Sequence, residues 1–504
     1  MIASRSVAQV RAAEEVAFTR VPSGSLMQRA AFALAVSTAR LLGDVRGAVV
    51  GSRVVLLVGS GNNGGDALWA GAMLAQRGCR VDALCLADRF HAEGAAALVA
   101  RGGRLHTWDG SSTQRDLVAD ADVVLDGILG IGGTGGLRPA AIEAVGAITD
   151  AVVVAVDVPS GVDADTGLVA GVAVTADLTV TFGAVKPGLL VAPGRFHSGP
   201  VHAIDIGLEF DDEPVAVTLE AIDVAAWVPE PDEGDYKYSR GVVGLAVGSS
   251  HYRGAALLAT AGARHVNVGM LRLLDRADGV GPLVVADFPD VVIDGAPPAQ
   301  QTRADAWACG SGFPGSQDDE AAVLAVLDAH GPVVLDAGAL TVVAESPHVR
   351  RRICDRADAG LATVLTPHEG EFARLQPEAD LASDGRVAAA LAAAADLRCI
   401  VVLKGSGTVV AGPSGAVFLD TEGTSALAVA GSGDVLTGIL GSVLAGAWAA
   451  GRRDEADLTE AVAAGVWLHG CAGRLAEEQG PVTAVDIATH VVSAVRAARF
   501  GDTP

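Results

Sequence analysis

The chain has 504 residues, half of them hydrophobic, with 63 glycines and a formal net charge of −24 at pH 7. That length exceeds one ordinary core and predicts two to four domains. The acidity argues against nucleic acid or an anionic membrane surface as partner, although glycine loops and helix ends still supply local positive potential for a nucleotide.

The N-terminal stretch MIASRSVAQVRAAEE carries charges where a signal peptide needs an apolar run, so a cytoplasmic location is expected. The six cysteines, at 79, 85, 309, 354, 399 and 471, form no CxxC pair and read as buried reduced thiols. Strand-like runs follow at 53–58, 80–86, 121–125, 151–156 and 177–182, alternating with helical patterns in the manner of parallel α/β architecture. The ends of these runs carry the chemistry. GSGNNGGDALWAGAML (59–74) opens a helix after the first strand and formally satisfies GxGxxG, a dinucleotide-binding pattern. Yet Asn62 and Asn63 put amides into the loop, and Asp66 puts a carboxylate where a pyrophosphate would be repelled. A capped turn, a Rossmann unit and a different polar ligand site all stay open. Asp126 precedes the loop GILGIGGTGGLRP, Asp157 leads into VPSGVDADTG, and Lys186 follows the strand of ADLTVTFGAVKPG. Two aspartates, a lysine, two asparagines and Ser160 at successive strand ends predict one crevice.

The acidic segments EFDDEP (209–214) and VPEPDEGD (228–235) look connective and place a boundary near 209–222, giving domains 1–215 and 222–504. Strand-like runs resume at 241–247, 304–308, 331–335, 361–365 and 399–403. GSSHYRGAALLA (248–259) makes a strand–loop–helix unit whose Gly254 and Ala255 allow close approach of a ligand. TPHEGEFARL (366–375) sets His368 at a strand end, with Glu369 and Glu371 entering a helix. KGSGT (404–408) is either a ligand loop or a hairpin turn. In VAGSGDVLTGIL (429–440), Asp434 stands at the mouth of an apolar helix, as a cap or as a base beside N–H groups that hold a phosphate. The uncharged run 435–451 holds four glycines and falls short of a bilayer span.

Residues 5–210 resemble the NAD(P)HX epimerase family of the YjeF N-terminal type, through GNNGGD, the loop after Asp126, DVPSGVDADTG and TFGAVKPG. Residues 225–500 resemble the ribokinase-like superfamily, and within it the ADP- or ATP-dependent NAD(P)HX dehydratases of the YjeF C-terminal type, through TPHEGEFARL, LKGSGTVV and AGSGDVLTGI. The resemblance implies an α/β chain of two domains, a Rossmann-like three-layer α/β/α sandwich followed by a ribokinase-like α/β/α domain. It implies that Asn62, Asn63, Gly64, Gly65 and Asp66 hold the hydrated nicotinamide nucleotide. The loop Gly130, Ile131, Gly132, Gly133, Thr134, Gly135 and Gly136 would do so with them. Asn63, Asp126 and Ser160 would bind potassium, for which amide, carboxylate and hydroxyl are suitable oxygen donors. Asp157 would contact the substrate and, with Lys186 as second candidate, move the proton in epimerisation.

In the second half the resemblance implies that Lys404, Gly405, Ser406, Gly407, Thr408 and Gly433 bind the adenine nucleotide. Ala255, Gly312, His368 and Asp434 would contact the hydrated dinucleotide. Asp434 would take the C6 hydroxyl proton as that oxygen attacks the terminal phosphoryl group, with magnesium bridging phosphate oxygens. Departures from the family pattern are GSGFPG (310–315) where GPGLG is usual, Gly338 where a second aspartate is common, and TEGTSALAV, which lacks an Asn-Pro element. The implied activity is two-step repair: epimerisation of the R and S hydrates, then dehydration of the S form at the expense of ADP or ATP. A homo-oligomer such as a tetramer is implied too. The rivals are a vitamin-precursor kinase fused to a regulatory nucleotide-binding module, a non-catalytic first half, and a Rossmann dehydrogenase.

Overall fold

The computed structural model describes residues 1–133, 135–228, 230–277, 279–295, 303–314 and 316–501. They form two compact units, Ala3–Val215 and Ala216–Pro504, the latter joined by Met1–Ile2.

A short strand β1 (Ile2–Ser4) begins the chain. The first unit is built on β2 (Arg53–Val58), β3 (Arg80–Cys85), β4 (Arg104–Thr107), β5 (Val123–Gly127), β6 (Val152–Val156), β7 (Leu178–Phe182) and β8 (Val201–Ile204). Their order across the sheet is β4-β3-β2-β5-β6-β7-β8, and every neighbouring pair is parallel. Alternate residues of β2 feed opposite cores. Val54, Leu56 and Val58 pack with the helices Ser25–Arg46 and Asn62–Gln76, whereas Val55 and Leu57 pack with Ser112–Ala119 and Pro139–Val145. A sheet covered on both faces needs apolar residues in both registers, which is why these strands read as continuous apolar runs. All five strand runs expected here are present. The two missed strands, β4 and β8, are the sheet edges; their partly exposed residues include Arg104, His106 and His202, so no apolar run announces them.

The second unit contains β9 (Ala216–Thr218), β10 (Val242–Ala246), β11 (Met270–Leu274), β12 (Val292–Asp294), β13 (Ala306–Cys309), β14 (Val333–Leu335), β15 (Thr363–Leu365), β16 (Ile400–Leu403), β17 (Val409–Ala411) and β18 (Val417–Leu419). They run in the order β9-β18-β17-β16-β15-β14-β13-β10-β11-β12. The pairs from β12 through to β16 are parallel, but β16–β17 and β17–β18 are antiparallel. KGSGT is therefore the loop of a hairpin, the turn reading of that stretch, and the sheet is mixed. All five runs expected in this half are strands.

The uncharged run belongs to the helix Ser432–Ala449, which is buried along nearly its whole length. A helix apolar all round belongs in a core when its neighbours can approach closely, and glycines make the approach possible. A Cβ on Gly438 would stand 1.9 Å from the Ala259 carbonyl oxygen, and one on Gly262 would stand 2.3 Å from that of Val435. No helix among the described residues is long and apolar enough to cross a membrane. All six cysteines are free thiols, five of them buried.

Candidate functional site

Each sheet reverses its direction of growth at one place: β2 lies between β3 and β5, and β10 lies between β11 and β13. Such switch points open crevices at the carboxyl ends of the strands. The candidate residues stand at or beyond the carboxyl ends of strands in these two sheets, some at the switch points and others further along.

In the first unit, Gly59 leaves β2 and donates its N–H to the Gly127 carbonyl at 3.0 Å. A Cβ on Gly59 would fall 1.9 Å from the Ile128 carbonyl oxygen, so only glycine lets the two strand ends meet. The helix begins at Asn62, earlier than a loop carrying both asparagines would allow, and Gly61 caps it without a side-chain hydrogen bond. Asn62 is exposed at that start, whereas Asn63, Gly64, Gly65 and Asp66 are buried. Asn63 donates through Nδ2 to the Leu129 carbonyl at 2.9 Å, and a Cβ on Gly130 would press on its Oδ1.

Asp126 and Ser160 are locked together. The Ser160 hydroxyl donates to Asp126 Oδ1 at 2.6 Å, and the Ser160 N–H donates to Oδ2 at 2.7 Å. Ser160 Oγ also accepts from the Leu129 N–H at 2.9 Å, which ties this pair to the backbone that Asn63 holds. Burial pushes the Asp126 carboxyl up to about 6 although these hydrogen bonds pull the other way. A buried carboxylate without a cationic partner among the described residues, beside hydroxyl and amide oxygens, fits a hard cation.

One strand further along, Asp157 adopts φ +68°, a conformation a non-glycine residue rarely holds. Its Oδ1 accepts from Lys186 Nζ at 2.6 Å, from Thr181 Oγ1 at 3.1 Å and from the Phe182 N–H at 3.3 Å. Lys186 is fully buried and also donates to Thr181 Oγ1 and to the Phe182 carbonyl, each at 2.9 Å. Asp66 lies near enough to Asp157 to feel its charge. The Asp66 Oδ1 is buried and has no hydrogen-bond partner among the described residues. Burial, then the charges of Asp157 and Glu14, push its carboxyl well above the usual range. Burial and Asp157 also raise Glu14, a residue of the helix Val7–Arg20 that sequence reading did not single out.

The loop after β5 offers mostly backbone. The Ile131 carbonyl accepts from Arg11 at 3.3 Å, the Gly133 N–H donates to the Gly130 carbonyl, and Gly135 has φ +77°. A Cβ on Gly132 would lie 3.6 Å from the same arginine, and one on Gly136 would strike the Ala170 carbonyl at 2.5 Å. Thr134 lies outside the described residues.

In the second unit the Gly248 N–H donates to the Ser311 carbonyl at 2.7 Å, joining the ends of β10 and β13. A Cβ on Gly312 would meet that of Ala255 at 2.8 Å, so these two expected contact residues adjoin. Gly338 explains two departures at once. A Cβ there would stand 2.5 Å from both Cβ and the carbonyl oxygen of Phe313, and the Arg276 guanidinium stacks 3.8 Å above the Phe313 ring. An aspartate at 338 has no room beside that phenylalanine.

Asp434 lies in the first turn of the helix Ser432–Ala449, entered through Gly431 at φ +90°. Burial, then Asp336, push its carboxyl up to about 6, while the Ser311 hydroxyl and Lys404 pull it down. Lys404 Nζ donates to Asp336 at 2.8 Å and lies 3.8 Å from Glu371. Burial alone would lower this ammonium, but Asp336 and Glu371 hold it above its ordinary value. A Cβ on Gly433 would sit 3.5 Å from the same Nζ, so lysine, glycine loop and Asp434 share one place.

The rest of KGSGT folds as the hairpin loop, in which Thr408 Oγ1 donates to the Gly405 carbonyl at 3.1 Å and Gly407 takes φ +71°. Ser406 lies in the same loop. His368 caps the helix Glu369–Leu375, its Nδ1 accepting from the N–H groups of Gly370 and Glu371, and its side chain is 59% exposed. Behind the glycine loop, His469 Nε2 lies 3.1 Å from Ser432 Oγ and 3.0 Å from the Ser432 carbonyl, and burial lowers that imidazole to about 4. Asp336, Ser311, Thr437 and His469 are residues that sequence reading passed over.

Residues 243–494 match the family model described as NAD(P)H-hydrate dehydratase, and residues 23–188 match that described as YjeF-related protein N-terminus. The bifunctional NAD(P)H-hydrate repair enzyme Nnr of Mycobacterium tuberculosis is 44% identical over 443 residues, covering 87% of this chain and 88% of that one. The enzyme of the same name from Mycobacterium leprae is 40% identical over 497 residues, 98% of each chain. The chain belongs to the bifunctional NAD(P)H-hydrate repair enzymes. A solved structure, the ADP/ATP-dependent NAD(P)H-hydrate dehydratase from Bacillus subtilis co-crystallized with ATP/Mg2+, is 32% identical, with a TM-score of 0.48, over 56% of this chain and 99% of that one. As an NAD(P)H-hydrate repair enzyme, the protein joins an epimerase and a dehydratase in one polypeptide. The vitamin-precursor kinase, the non-catalytic first half and the dehydrogenase fall with that membership.

Proposed function

We propose that Asp434 is the base of the dehydratase and that the crevice around Asp157 is the epimerase centre. The observation that carries the first assignment is the meeting of Asp434, Lys404 and Gly433 at the start of one helix. There the Asp434 carboxylate removes the proton of the C6 hydroxyl as its oxygen attacks the terminal phosphoryl group of ADP or ATP. The bond to the leaving nucleotide breaks, giving AMP or ADP. N–H groups of Gly431, Ser432 and Gly433, with the Lys404 ammonium, meet the charge that develops on the transferred group. The ring nitrogen then expels phosphate from C6, a proton leaves C5, and the dihydronicotinamide double bond returns. Magnesium suits this site as a counter-ion carried by the phosphates, for it is usually held by substrate oxygens with one or two carboxylates; besides Asp336, which the lysine engages, Glu371 and Asp434 are the carboxylates near it. Ala255 and Gly312 leave room for the dinucleotide, and His368 offers it a partly exposed ring. Lys404 to Thr408 and Gly433 take the adenine nucleotide.

In the epimerase, Asn62 to Asp66 and Gly130 to Gly136 would hold the hydrate, whose C6 bears a hydroxyl beside the ring nitrogen. Interconversion needs one group to accept a proton and another to return it, and Asp157 with Lys186 supplies such a pair within 2.6 Å. Asn63, Asp126 and Ser160 would hold potassium; such an ion supplies fixed positive charge near the substrate's phosphates.

Asp434→Asn tests the first assignment. Recovery of reduced-nicotinamide absorbance from hydrated NADH plus ADP or ATP is expected to fall by a factor on the order of 1,000, with nucleotide affinity within about threefold. A retained rate rejects the assignment.

A further inference from the structure

Asp336 has no part in the chemistry above, yet it is the most tightly held carboxylate of the dehydratase cleft. It follows β14, is 2% exposed, and accepts three side-chain hydrogen bonds from three different elements. Thr366, after β15, donates to Oδ1 at 2.7 Å; Lys404, after β16, donates to the same oxygen at 2.8 Å; Thr437, on the Asp434 helix, donates to Oδ2 at 2.8 Å. Thr437 Oγ1 lies 3.0 Å from the Gly433 carbonyl as well, so the anchor reaches the glycine loop itself.

We propose that Asp336 is a positioning residue of the dehydratase, which holds the Lys404 ammonium over Gly433 so that the lysine meets the transferred phosphoryl group instead of pairing with Asp434. The inference rests on the dehydratase assignment of this cleft. A flexible lysine beside two carboxylates chooses between them, and pairing with Asp434 would weaken the base and remove the cation from the phosphate. Asp336 decides the choice because its orientation is set independently of the lysine by two threonines. A Cβ on Gly433 would lie 3.5 Å from Lys404 Nζ and 3.7 Å from Asp336 Oδ2, so the held ammonium lies directly above the backbone that faces the phosphate. Glu371, 3.8 Å away, adds a second and looser contact.

A double-mutant cycle in the full-length enzyme separates this role from a structural one. Asp336→Asn keeps the size of the side chain and its ability to accept from one threonine, but removes the charge. It is expected to lower dehydratase kcat on the order of 100-fold, to raise the KM for nucleotide, and to leave the KM for hydrated NADH and the epimerase rate unchanged. In a Lys404→Met background, the same change is expected to cost less than about threefold, because its route of action is already gone. Thr437→Val, which loosens the anchor without touching a charge, is expected to lower kcat in the same direction by a smaller factor. Equal losses in both backgrounds, or a full rate for Asp336→Asn, overturn the proposal. Full activity of Lys404→Met alone rejects instead the assignment of the cleft, so the two failures are distinguishable.

Discussion

Asp434 draws its reactivity from where its helix begins. Burial first, and then the charge of Asp336, which Lys404 and the threonines keep ionised, push the Asp434 carboxyl up to about 6. A base works in its ionised form. Dehydratase kcat/KM for the hydrate is therefore expected to be lost as pH falls through about 6 and to level off above it, in a pH–rate profile of the wild-type enzyme. An acid limb near pH 4 would show that the buried carboxylate is not the titrating group. In the epimerase crevice the parallel feature is Asp66, with an unpartnered oxygen and a carboxyl raised by burial, Asp157 and Glu14. Asp66 was legible in the sequence from its motif. Glu14 was not, because a glutamate in an ordinary surface helix carries no signal until the fold sets it within reach of the Asp157 charge.

The helix Ser432–Ala449 brings together the glycine loop, the base and the deepest core of the second unit. Its approach to Arg253–Arg264 depends on Gly438, whose added Cβ would lie 1.9 Å from the Ala259 carbonyl oxygen. That atom is backbone and has nowhere to move without parting the helices. Gly438→Ala is expected to destabilise the second unit by about 2 kcal/mol or more in urea unfolding, and to slow the dehydratase while sparing the epimerase. Unchanged stability would mean that the helices separate at no cost. The same packing shows why an uncharged helix was readable as a core element. Gly438 is set directly against the Ala259 carbonyl, but the sequence does not name the partner it approaches.

For the whole molecule, one polypeptide carries both steps, and the second is stereospecific in the proposed scheme. Blocking the first by Asp157→Asn in the full-length chain is expected to make repair of mixed R and S hydrate biphasic, with about half recovered at the normal rate and the remainder at the rate of uncatalysed epimerisation. Monophasic recovery at the wild-type rate would remove Asp157 from the epimerase. The measurement follows nicotinamide absorbance over time with ADP or ATP in excess.

The sequence by itself determined the two α/β units, all ten of the expected strands, and the glycine-bounded strand ends where the candidate residues stand. These are local properties: apolar runs buried on both faces, turns that only glycine makes, and ordered motifs. The tertiary structure alone decided which strand ends adjoin, that KGSGT closes a hairpin, and that the edge strands exist despite their polar residues. It also decided the importance of Asp336, whose partners Thr366, Lys404 and Thr437 lie 30, 68 and 101 residues away. A hydrogen bond over such separations has no signature in any window of sequence; it exists only because parallel strands and one buried helix bring their ends to the same edge.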